Sequence, residues 1–407
     1  MSRDRTAGAQ PSAVGATFEV ETGPVAHGGH VVARHEGRVV FVRHALPGER
    51  VRVVVTEGHG GSRFFRADAV EILQAAPGRV DPPCPWAGRC GGCDFQHVAL
   101  PVQRELKATV VREQLARLAG LEWDVEVEEV AGAPDGLGWR TRVRYTVDDG
   151  GRAGLHAHRS HLVVPVDRCR IAHPLVAAAD VLDRTWEPGS SVEVVASAST
   201  GERLVLADQV PRGPAADRTL VEAAAGRRFR VSGSGFWQVH PGAAGALVTA
   251  VIDGLEPRAG ESALDLYGGV GLFAAAIAER VGAGGRVTLV EADRGAVSDA
   301  VHNLAGLPGV RVEAGRVDRV LRALRLRRAD LVVLDPPRAG AGRTVMEQIT
   351  RIKARRIVYV ACDPAALARD LAYAAEHGYR MSALRAFDLF PMTHHVECVA
   401  TLVSASD

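Results

Sequence analysis

The stretch Leu264-Asp265-Leu266-Tyr267-Gly268-Gly269-Val270-Gly271-Leu272-Phe273 joins two apolar segments through three closely spaced glycines. Such a stretch is typical of the turn between a β-strand and the following α-helix, where glycine lets the backbone turn tightly and approach a ligand. The loop alone is weak evidence, because dinucleotide-binding folds use a similar one. Glu291 ends the next predicted strand, 20 residues after Gly271, where a carboxylate can accept both hydroxyls of a ribose. The alternative is a structural turn flanked by surface acids.

From Phe236 onward, segments that suit short buried strands alternate with segments that suit helices. Alternation of this kind predicts a parallel sheet with helices on both faces. The last two predicted strands, near residues 380–388 and 395–403, form a closing hairpin whose final strand runs antiparallel. We therefore predict an α/β domain over residues 236–407.

Several reactive side chains fall at the carboxyl ends of the predicted parallel strands, where open α/β sheets bind their ligands. Asp335 follows the fourth strand in an Asp-Pro-Pro-Arg sequence, and Cys362 follows the fifth strand. The final antiparallel strand begins at the same edge and brings Glu397 there. Three distant segments are therefore expected to meet in one cleft, beside Asp265 and the glycine loop.

A cysteine and a carboxylate in one cleft suit the methylation of carbon 5 of a uracil, which is a poor nucleophile. A thiolate that adds at carbon 6 turns the ring into an enolate able to attack a methyl donor. A base must then remove the carbon 5 proton. We predict Cys362 as the nucleophile, with its thiolate favoured by a helix N-terminus, and Glu397 as the base. The alternatives are a buried structural cysteine and a surface acid.

The N-terminal half of the chain contains mostly β patterns. Residues 17–75 carry short valine-rich runs separated by Gly and Pro, which predicts a small β-barrel. Residues 1–16 are expected to be a disordered tail, and residues 76–235 a mostly β middle domain. Arginines beside Phe64-Phe65 and along one side of a predicted strand are candidate RNA contacts, although one of these phenylalanines is expected in the core. These arginines are Arg63, Arg66, Arg140, Arg142 and Arg144.

Four cysteines form a further candidate site: Cys84, Cys90, Cys93 and the distant Cys169. Zinc ribbons usually pair two Cys-x-x-Cys sequences, whereas three clustered cysteines and a remote one suit a [4Fe–4S] cluster better. The alternatives are zinc or a site that holds no metal. We expect a structural role, because methyl transfer to uracil moves no single electrons.

Composition adds little about partners. The 407 residues suit two or three domains and carry a net charge of +1. Lysine occurs only at Lys107 and Lys353, and 47 arginines supply the other basic residues, so an arginine cluster is weak evidence for RNA binding here. No apolar run reaches the ~18 residues of a membrane span, and no signal peptide is evident. We expect a cytoplasmic monomer with no membrane partner.

Five motifs together resemble those of the bacterial RNA uridine-5-methyltransferases, and the resemblance runs along nearly all of the chain. The motifs are Phe236-Trp237-Gln238-Val239-His240, Asp265 to Phe273, Asp335 to Arg338, Tyr359 to Pro364, and Asp388 to Glu397. The resemblance implies a class I Rossmann-like domain that uses S-adenosylmethionine, preceded by a TRAM β-barrel. It also implies a [4Fe–4S] cluster, since many members carry one with this cysteine spacing.

The resemblance further implies roles for individual residues. In the family, the residues that match Gln238, Glu291 and Asp335 bind the cofactor. The glycine-loop residues expected beside them are Asp265, Tyr267, Gly268, Gly269 and Gly271. Two departures concern the substrate pocket, because Asp363 replaces the usual asparagine after the nucleophile and His394 replaces a usual glycine.

The RNA substrate is less well defined. Iron–sulfur cysteines together with a TRAM barrel favour 23S rRNA by association, and tRNA is the alternative. A non-catalytic RNA-binding iron–sulfur protein is a third reading, but such a protein needs neither Cys362 nor Glu397. A cytosine-5-methyltransferase is disfavoured, because those enzymes place the nucleophile after the fourth strand, where Asp335 stands.

Overall fold

The structure is a computed structural model that describes residues 11–208, 210–211 and 219–405. Its first unit is a closed five-stranded barrel with the strand order β1-β2-β3-β5-β4. The strands are β1 (Thr17–Ala26), β2 (His30–His35), β3 (Arg38–Arg43), β4 (Arg50–Glu57) and β5 (Phe64–Gln74). In β4, buried valines alternate with more exposed residues, as the period of a half-buried strand requires. Phe65 is buried and Phe64 is exposed, so the two neighbours divide between core and surface as expected.

The predicted disordered tail is partly wrong. Residues 1–10 lie outside the described residues. Residues 11–16 lie against the barrel, where Ser12 bridges to His59 and the Gly15 amide donates to the Val55 carbonyl at 2.9 Å. Backbone hydrogen bonding therefore extends the barrel to residue 11.

The middle of the chain contains a six-stranded sheet with the order β12-β11-β10-β7-β8-β9. A short helix, α2 (Pro174–Ala177), lies between its strands in sequence. The strands are β7 (Arg142–Val147), β8 (Ala153–His156), β9 (Val163–Val164), β10 (Ser191–Ala196), β11 (Arg203–Ala207) and β12 (Val210–Pro211). Val192 and Val194 are fully buried in its core, so this sheet has a hydrophobic centre of its own.

The C-terminal unit is an eight-stranded sheet with the order β17-β16-β15-β18-β19-β21-β20-β6. Its strands are β6 (Val127–Glu129), β15 (Ser262–Leu266), β16 (Arg286–Glu291), β17 (Val310–Ala314), β18 (Leu331–Leu334), β19 (Arg356–Ala361), β20 (Tyr379–Asp388) and β21 (Glu397–Ser404). Its helices are α3 (Ala243–Leu255), α4 (Leu272–Val281), α5 (Arg294–Asn303), α6 (Val317–Leu324), α7 (Gly342–Arg351) and α8 (Pro364–Ala375). Strand β18, in the middle of the sheet, is apolar throughout, because helices cover both faces. Strand β21 runs antiparallel to β19, as predicted.

Parts of the predicted middle domain belong to the C-terminal unit. Helix α1 (Leu100–Gln114) continues as a π-helix, Leu115–Ala119, and its buried face joins the core on one side of the large sheet. Strand β6 pairs with β20, and a hairpin of β13 (Thr219–Ala224) and β14 (Arg227–Ser232) packs near α5. Residues 76–235 therefore do not form one packing unit. No helix in the described ranges is long and apolar enough to cross a membrane.

Candidate functional site

Cys362 and Glu397 meet at the carboxyl edge of the large sheet. Cys362 directly follows β19, and Glu397 is the first residue of β21. Ala361 pairs with Cys398 across the two antiparallel strands, so continuing the register by one residue places Cys362 opposite Glu397. Asp335 follows β18, the neighbouring strand on the other side of β19. The convergence predicted for these three segments is therefore present in the described structure.

The electrostatics of this edge favour protonated groups. Burial, together with the nearby Glu397 and Asp335 carboxyls, raises the pKa of Cys362 to about 12. Burial also raises the pKa of Asp335 to about 7 and holds the pKa of Glu397 well above its usual range, with Asp335 adding to the latter and Arg338 opposing it. These shifts oppose the predicted thiolate in the free protein, and the contribution of the helix N-terminus to Cys362 stays a prediction.

The loop between β20 and β21, residues 389–396, is held by contacts that the sequence did not predict. His394 Nδ1 lies 2.6 Å from Asp94 Oδ2, and the side-chain Oε1 of Gln103 accepts the Met392 amide at 2.8 Å. Lys107 is fully buried and donates to the Asp388 carboxylate at 2.6 Å. Lys107 could have given a signal, since it is one of only two lysines in the sequence and lies on the buried face of α1.

A cavity of about 200 Å³ opens beside the cysteine and extends to the N-terminal barrel. Cys362, Asp363 and Arg338 line one side of it. The barrel turn His27-Gly28-Gly29, between β1 and β2, lines another side. The walls of this cavity come from three parts of the chain. The cavity therefore lies between the barrel and the sheet edge.

Asp363, a departure from the family pattern, has both carboxylate oxygens engaged. Oδ1 accepts the Ala366 amide at 2.8 Å and caps α8, and Oδ2 lies 3.1 Å from His27 Nε2. Burial opposes ionisation of Asp363, but the His27 contact and the Ala366 amide outweigh burial and lower its pKa. The hydrogen bond to Asp363 in turn raises the pKa of His27.

A second, smaller cavity of about 50 Å³ lies at the glycine loop. Gln238, Asp335 and the loop residues Tyr267, Gly268 and Gly269 line it. Asp265 lies beneath the loop, fully buried, where its Oδ2 accepts the Ala274 amide at 2.8 Å while its Oδ1 has no hydrogen-bond partner. Burial raises the pKa of Asp265 to about 7. An unpaired buried acceptor needs a donor, and a cationic ligand group would supply one.

The loop glycines are required by close packing and by backbone conformation. A Cβ at Gly268 would lie 2.5 Å from the Leu289 side chain, and Gly271 has a φ of +95°. The Gly269 amide donates to the Glu291 Oε2 atom at 3.0 Å, and the Asp293 amide donates to its Oε1 atom at 2.7 Å. Glu291 therefore supports the loop directly and does not line the small cavity.

Comparison with known sequences identifies the family. A profile of the family described as tRNA (uracil-5-)-methyltransferase matches residues 191–405, and a TRAM domain profile matches residues 11–70. The chain belongs to the tRNA (uracil-5-)-methyltransferase family. The family consists of S-adenosylmethionine-dependent RNA (uracil-5-)-methyltransferases, and the N-terminal barrel is its TRAM domain.

Whole-chain relatives agree with this family assignment. A protein of Streptomyces avermitilis described as an uncharacterized RNA methyltransferase is 51% identical, over 97% of this chain and 99% of its own. A protein of Bifidobacterium longum with the same description is 38% identical, over 96% and 98%. The solved structure of Pyrococcus abyssi tRNA (uracil-54, C5)-methyltransferase, in complex with S-adenosyl-L-homocysteine, is 23% identical with a TM-score of 0.69, over 94% of this chain and 99% of that one. The methyltransferase shares its fold with that structure.

The four cysteines predicted as metal ligands line one cavity of about 270 Å³ in this methyltransferase. All four are unpaired thiols and half-buried, and burial raises the pKa of Cys90 and of Cys169. The donor set is therefore gathered in one place. Yet within residues 11–208, 210–211 and 219–405, no three His, Cys, Asp or Glu side chains are arranged to hold a metal ion. The iron–sulfur cluster stays a prediction.

The predicted RNA-contact arginines separate into different environments in the methyltransferase. Arg63 is exposed, and Arg66 lies over the Phe41 and Phe64 rings at 5.8 and 5.5 Å. Arg140 and Arg144 line the cysteine cavity. Arg142 is largely buried and donates to the carbonyls of Gly233 and Gly235, so its guanidinium is engaged within the protein, and its contact with RNA stays a prediction. Its role is to hold the backbone that leads to the Gln238 motif.

Proposed function

We propose that this methyltransferase transfers a methyl group from S-adenosylmethionine to carbon 5 of a uridine in RNA, with Cys362 as the nucleophile and Glu397 as the base. The proposal is carried by the register of β19 and β21, which sets these two side chains opposite each other. The cavity beside Cys362 has room for one base, so the target nucleotide must leave its stack to reach it.

The chemistry begins at the Cys362 thiol. The thiol gives up its proton as its sulfur adds to carbon 6 of the uracil, and the electron pair of the carbon 5–carbon 6 double bond moves into an enolate. The positive Arg338 guanidinium beside the sulfur favours both the thiolate and the enolate. When bound, S-adenosylmethionine supplies an electrophilic methyl group for carbon 5.

Glu397 then takes the proton from carbon 5, and the electron pair of that bond restores the double bond and expels the thiolate. The products are 5-methyluridine, S-adenosylhomocysteine and one proton, and passage of the carbon 5 proton from Glu397 to the Cys362 thiolate restores the starting enzyme. The raised pKa makes the Glu397 carboxylate a stronger base once it is ionised.

The cofactor is assigned to the small cavity. Gln238, Asp335 and the loop Tyr267-Gly268-Gly269 line it, and the unpaired Oδ1 of Asp265 suits the ammonium group of an amino-acid moiety. The Glu291 carboxylate accepts loop amides and has further acceptor sites, so we assign it a role in shaping the loop and in ribose binding. Gly271 permits helix α4 to start close beneath the glycine loop.

A [4Fe–4S] cluster on Cys84, Cys90, Cys93 and Cys169 is part of the proposal as a structural group. The support is four thiols around one cavity and a spacing that suits such a cluster better than zinc. No step of the methyl transfer uses the cluster. An anaerobic preparation should be brown and contain about four iron atoms per chain, and a colourless protein that holds zinc would refute this part.

The proposed substrate is 23S rRNA, and tRNA is the alternative that the family's own description favours. The TRAM domain and the cysteine set support the ribosomal substrate by association. Nucleoside mass spectrometry of rRNA and tRNA, fractionated separately from cells with and without the gene, tests the reaction and the substrate together. Loss of 5-methyluridine from one fraction names the substrate, and an unchanged level in both refutes the proposal.

A further inference from the structure

The TRAM barrel contacts both halves of the proposed catalytic site through a single turn. The turn Ala26–His30 joins β1 to β2, and within it His27 Nε2 lies 3.1 Å from Asp363 Oδ2, next to the nucleophile. Two residues later, Gly29 packs against the loop that leads to Glu397. A Cβ at Gly29 would lie 2.7 Å from the His394 Cβ, and its φ of +77° also requires glycine.

This contact has a consequence for charge. Asp363 follows Cys362 directly, and its pKa is lowered despite burial, so it carries a negative charge at neutral pH. An uncompensated carboxylate there would oppose a thiolate, a uracil enolate and an incoming RNA phosphate. His27 is the partner of this carboxylate, and its raised pKa favours the cationic imidazolium. Its surroundings are Asp363 after β19, Arg117 on the π-helix and Glu113 on α1, and the Asp363 hydrogen bond outweighs burial and Arg117.

We propose that His27 is a positioning residue for the target uridine, and that the barrel turn of residues 26–29 forms one wall of the uracil pocket. The inference rests on the proposed function. His27 neutralises the charge beside the nucleophile and holds the residue after Cys362 in place. The barrel is thereby part of the substrate site, and not only a surface that holds RNA elsewhere.

The pH dependence of this contribution follows from the sign of the shift. Because the pKa of His27 is raised by Asp363, the cation is present at and below the ordinary histidine pKa and is lost as the pH rises through the raised value. The advantage of His27 over a neutral residue should therefore be largest at low pH and vanish at high pH. A purely structural role would give a ratio that does not change with pH.

The test measures RNA methylation by four variants of the full-length enzyme. They are His27→Asn, Asp363→Asn, the double variant that combines these two changes, and His35→Asn. His27→Asn keeps a hydrogen-bond donor and removes the charge, and kcat/KM for RNA should fall about fivefold near pH 6.5, as for a half-exposed pair. In Asp363→Asn the same His27→Asn change should have little effect, because no charge remains to neutralise. His35→Asn, on the same barrel and away from the pocket, is the matched control.

Two outcomes would overturn the inference. One is a pH-independent ratio of wild type to His27→Asn, and the other is additive losses in the double variant. Binding of S-adenosylhomocysteine, measured for every variant, shows that the methyltransferase domain is folded. A wild-type protein that forms no 5-methyluridine in any RNA would refute the proposed function, whereas an active wild type with a fully active His27→Asn variant at low pH refutes this inference alone.

Discussion

Asp94 Oδ2 lies 2.6 Å from His394 Nδ1, and this contact joins the residue after Cys93 to the loop before Glu397. The amides of Asp94 and Phe95 both donate to the Met392 carbonyl at 3.0 Å. The segment that carries three of the cysteines is thus attached to the loop that positions the proposed base. If the cysteine segment became disordered, this contact would be lost and the loop before Glu397 would be displaced. Such an effect on Glu397 requires no electron transfer.

Replacement of Asp94 by asparagine should loosen this attachment. The amide keeps the shape and removes the charge, so the charge-assisted hydrogen bond is lost and the free energy of unfolding should fall by about 1–3 kcal/mol. The rate of methyl transfer should fall as well, because the loop before Glu397 gains freedom. Urea denaturation and single-turnover assays measure the two effects.

The matched control for Asp94→Asn is Asp124→Asn. The Asp124 side chain is 97% exposed, so its replacement should change the free energy of unfolding by no more than about 0.5 kcal/mol. If Asp94→Asn behaves like this control in stability and in rate, then the contact with His394 does not position the loop.

Lys107→Met should destabilise the protein through the carboxylate that it leaves behind. Lys107 and Asp388 are 0% and 3% exposed, and Lys107 also donates to the Phe390 carbonyl. Removal of one partner of a buried ion pair leaves an uncompensated charge and should cost about 3–5 kcal/mol. The measurement is the free energy of unfolding from urea denaturation.

A double variant separates this mechanism from simple loss of packing. Lys107→Met combined with Asp388→Asn leaves no buried charge, so it should be more stable than Lys107→Met alone. Lys353→Met, at the exposed second lysine, controls for the loss of a positive charge. Equal stability of the single and double variants would mean that Asp388 is not left as a buried charge.

The sequence allowed the cleft to be predicted because strand order and strand direction are strongly constrained in α/β folds. Once β15 to β19 are recognised, Asp335 and Cys362 must lie at one edge, and an antiparallel last strand brings Glu397 to them. The buried valine pattern likewise predicted the barrel. These features depend on periodicity and connectivity, which are local properties of the sequence.

Other features depend on contacts between distant segments, and no local pattern carries them. Strand β6 has three residues and pairs with β20, which lies far along the chain. The contact between His27 and Asp363 joins residues 336 positions apart. The raised pKa of Cys362 results from burial by several elements. Desolvation of this kind is set by tertiary packing, so the sequence alone does not predict its effect on the pKa of the thiol.

Glu397→Gln should stop the reaction after the methyl group has been transferred. Without a carboxylate the carbon 5 proton stays in place, so the thiolate cannot leave and a covalent protein–RNA adduct should accumulate. The adduct is measured as a slower band on a denaturing gel after incubation with RNA and S-adenosylmethionine. Cys362→Ala in the same background should abolish the band. Continued turnover by Glu397→Gln would show that another group acts as the base.

Cofactor binding should strengthen as the pH rises through neutrality. Burial raises the pKa of Asp265 and that of Asp335 to about 7 in the free protein, so both carboxyls are largely protonated at pH 6. A cationic ligand favours the ionised forms, and the affinity for S-adenosylmethionine should therefore rise by about tenfold from pH 6 to pH 8 for each carboxyl that must ionise. Titration calorimetry in buffers of different ionisation enthalpy would also detect the released protons.

Asp265→Asn should bind S-adenosylmethionine more weakly and with a flatter pH dependence, whereas the exposed Asp253→Asn should match wild type. An affinity that is constant or falls over this range would mean that neither buried carboxyl ionises when the cofactor binds.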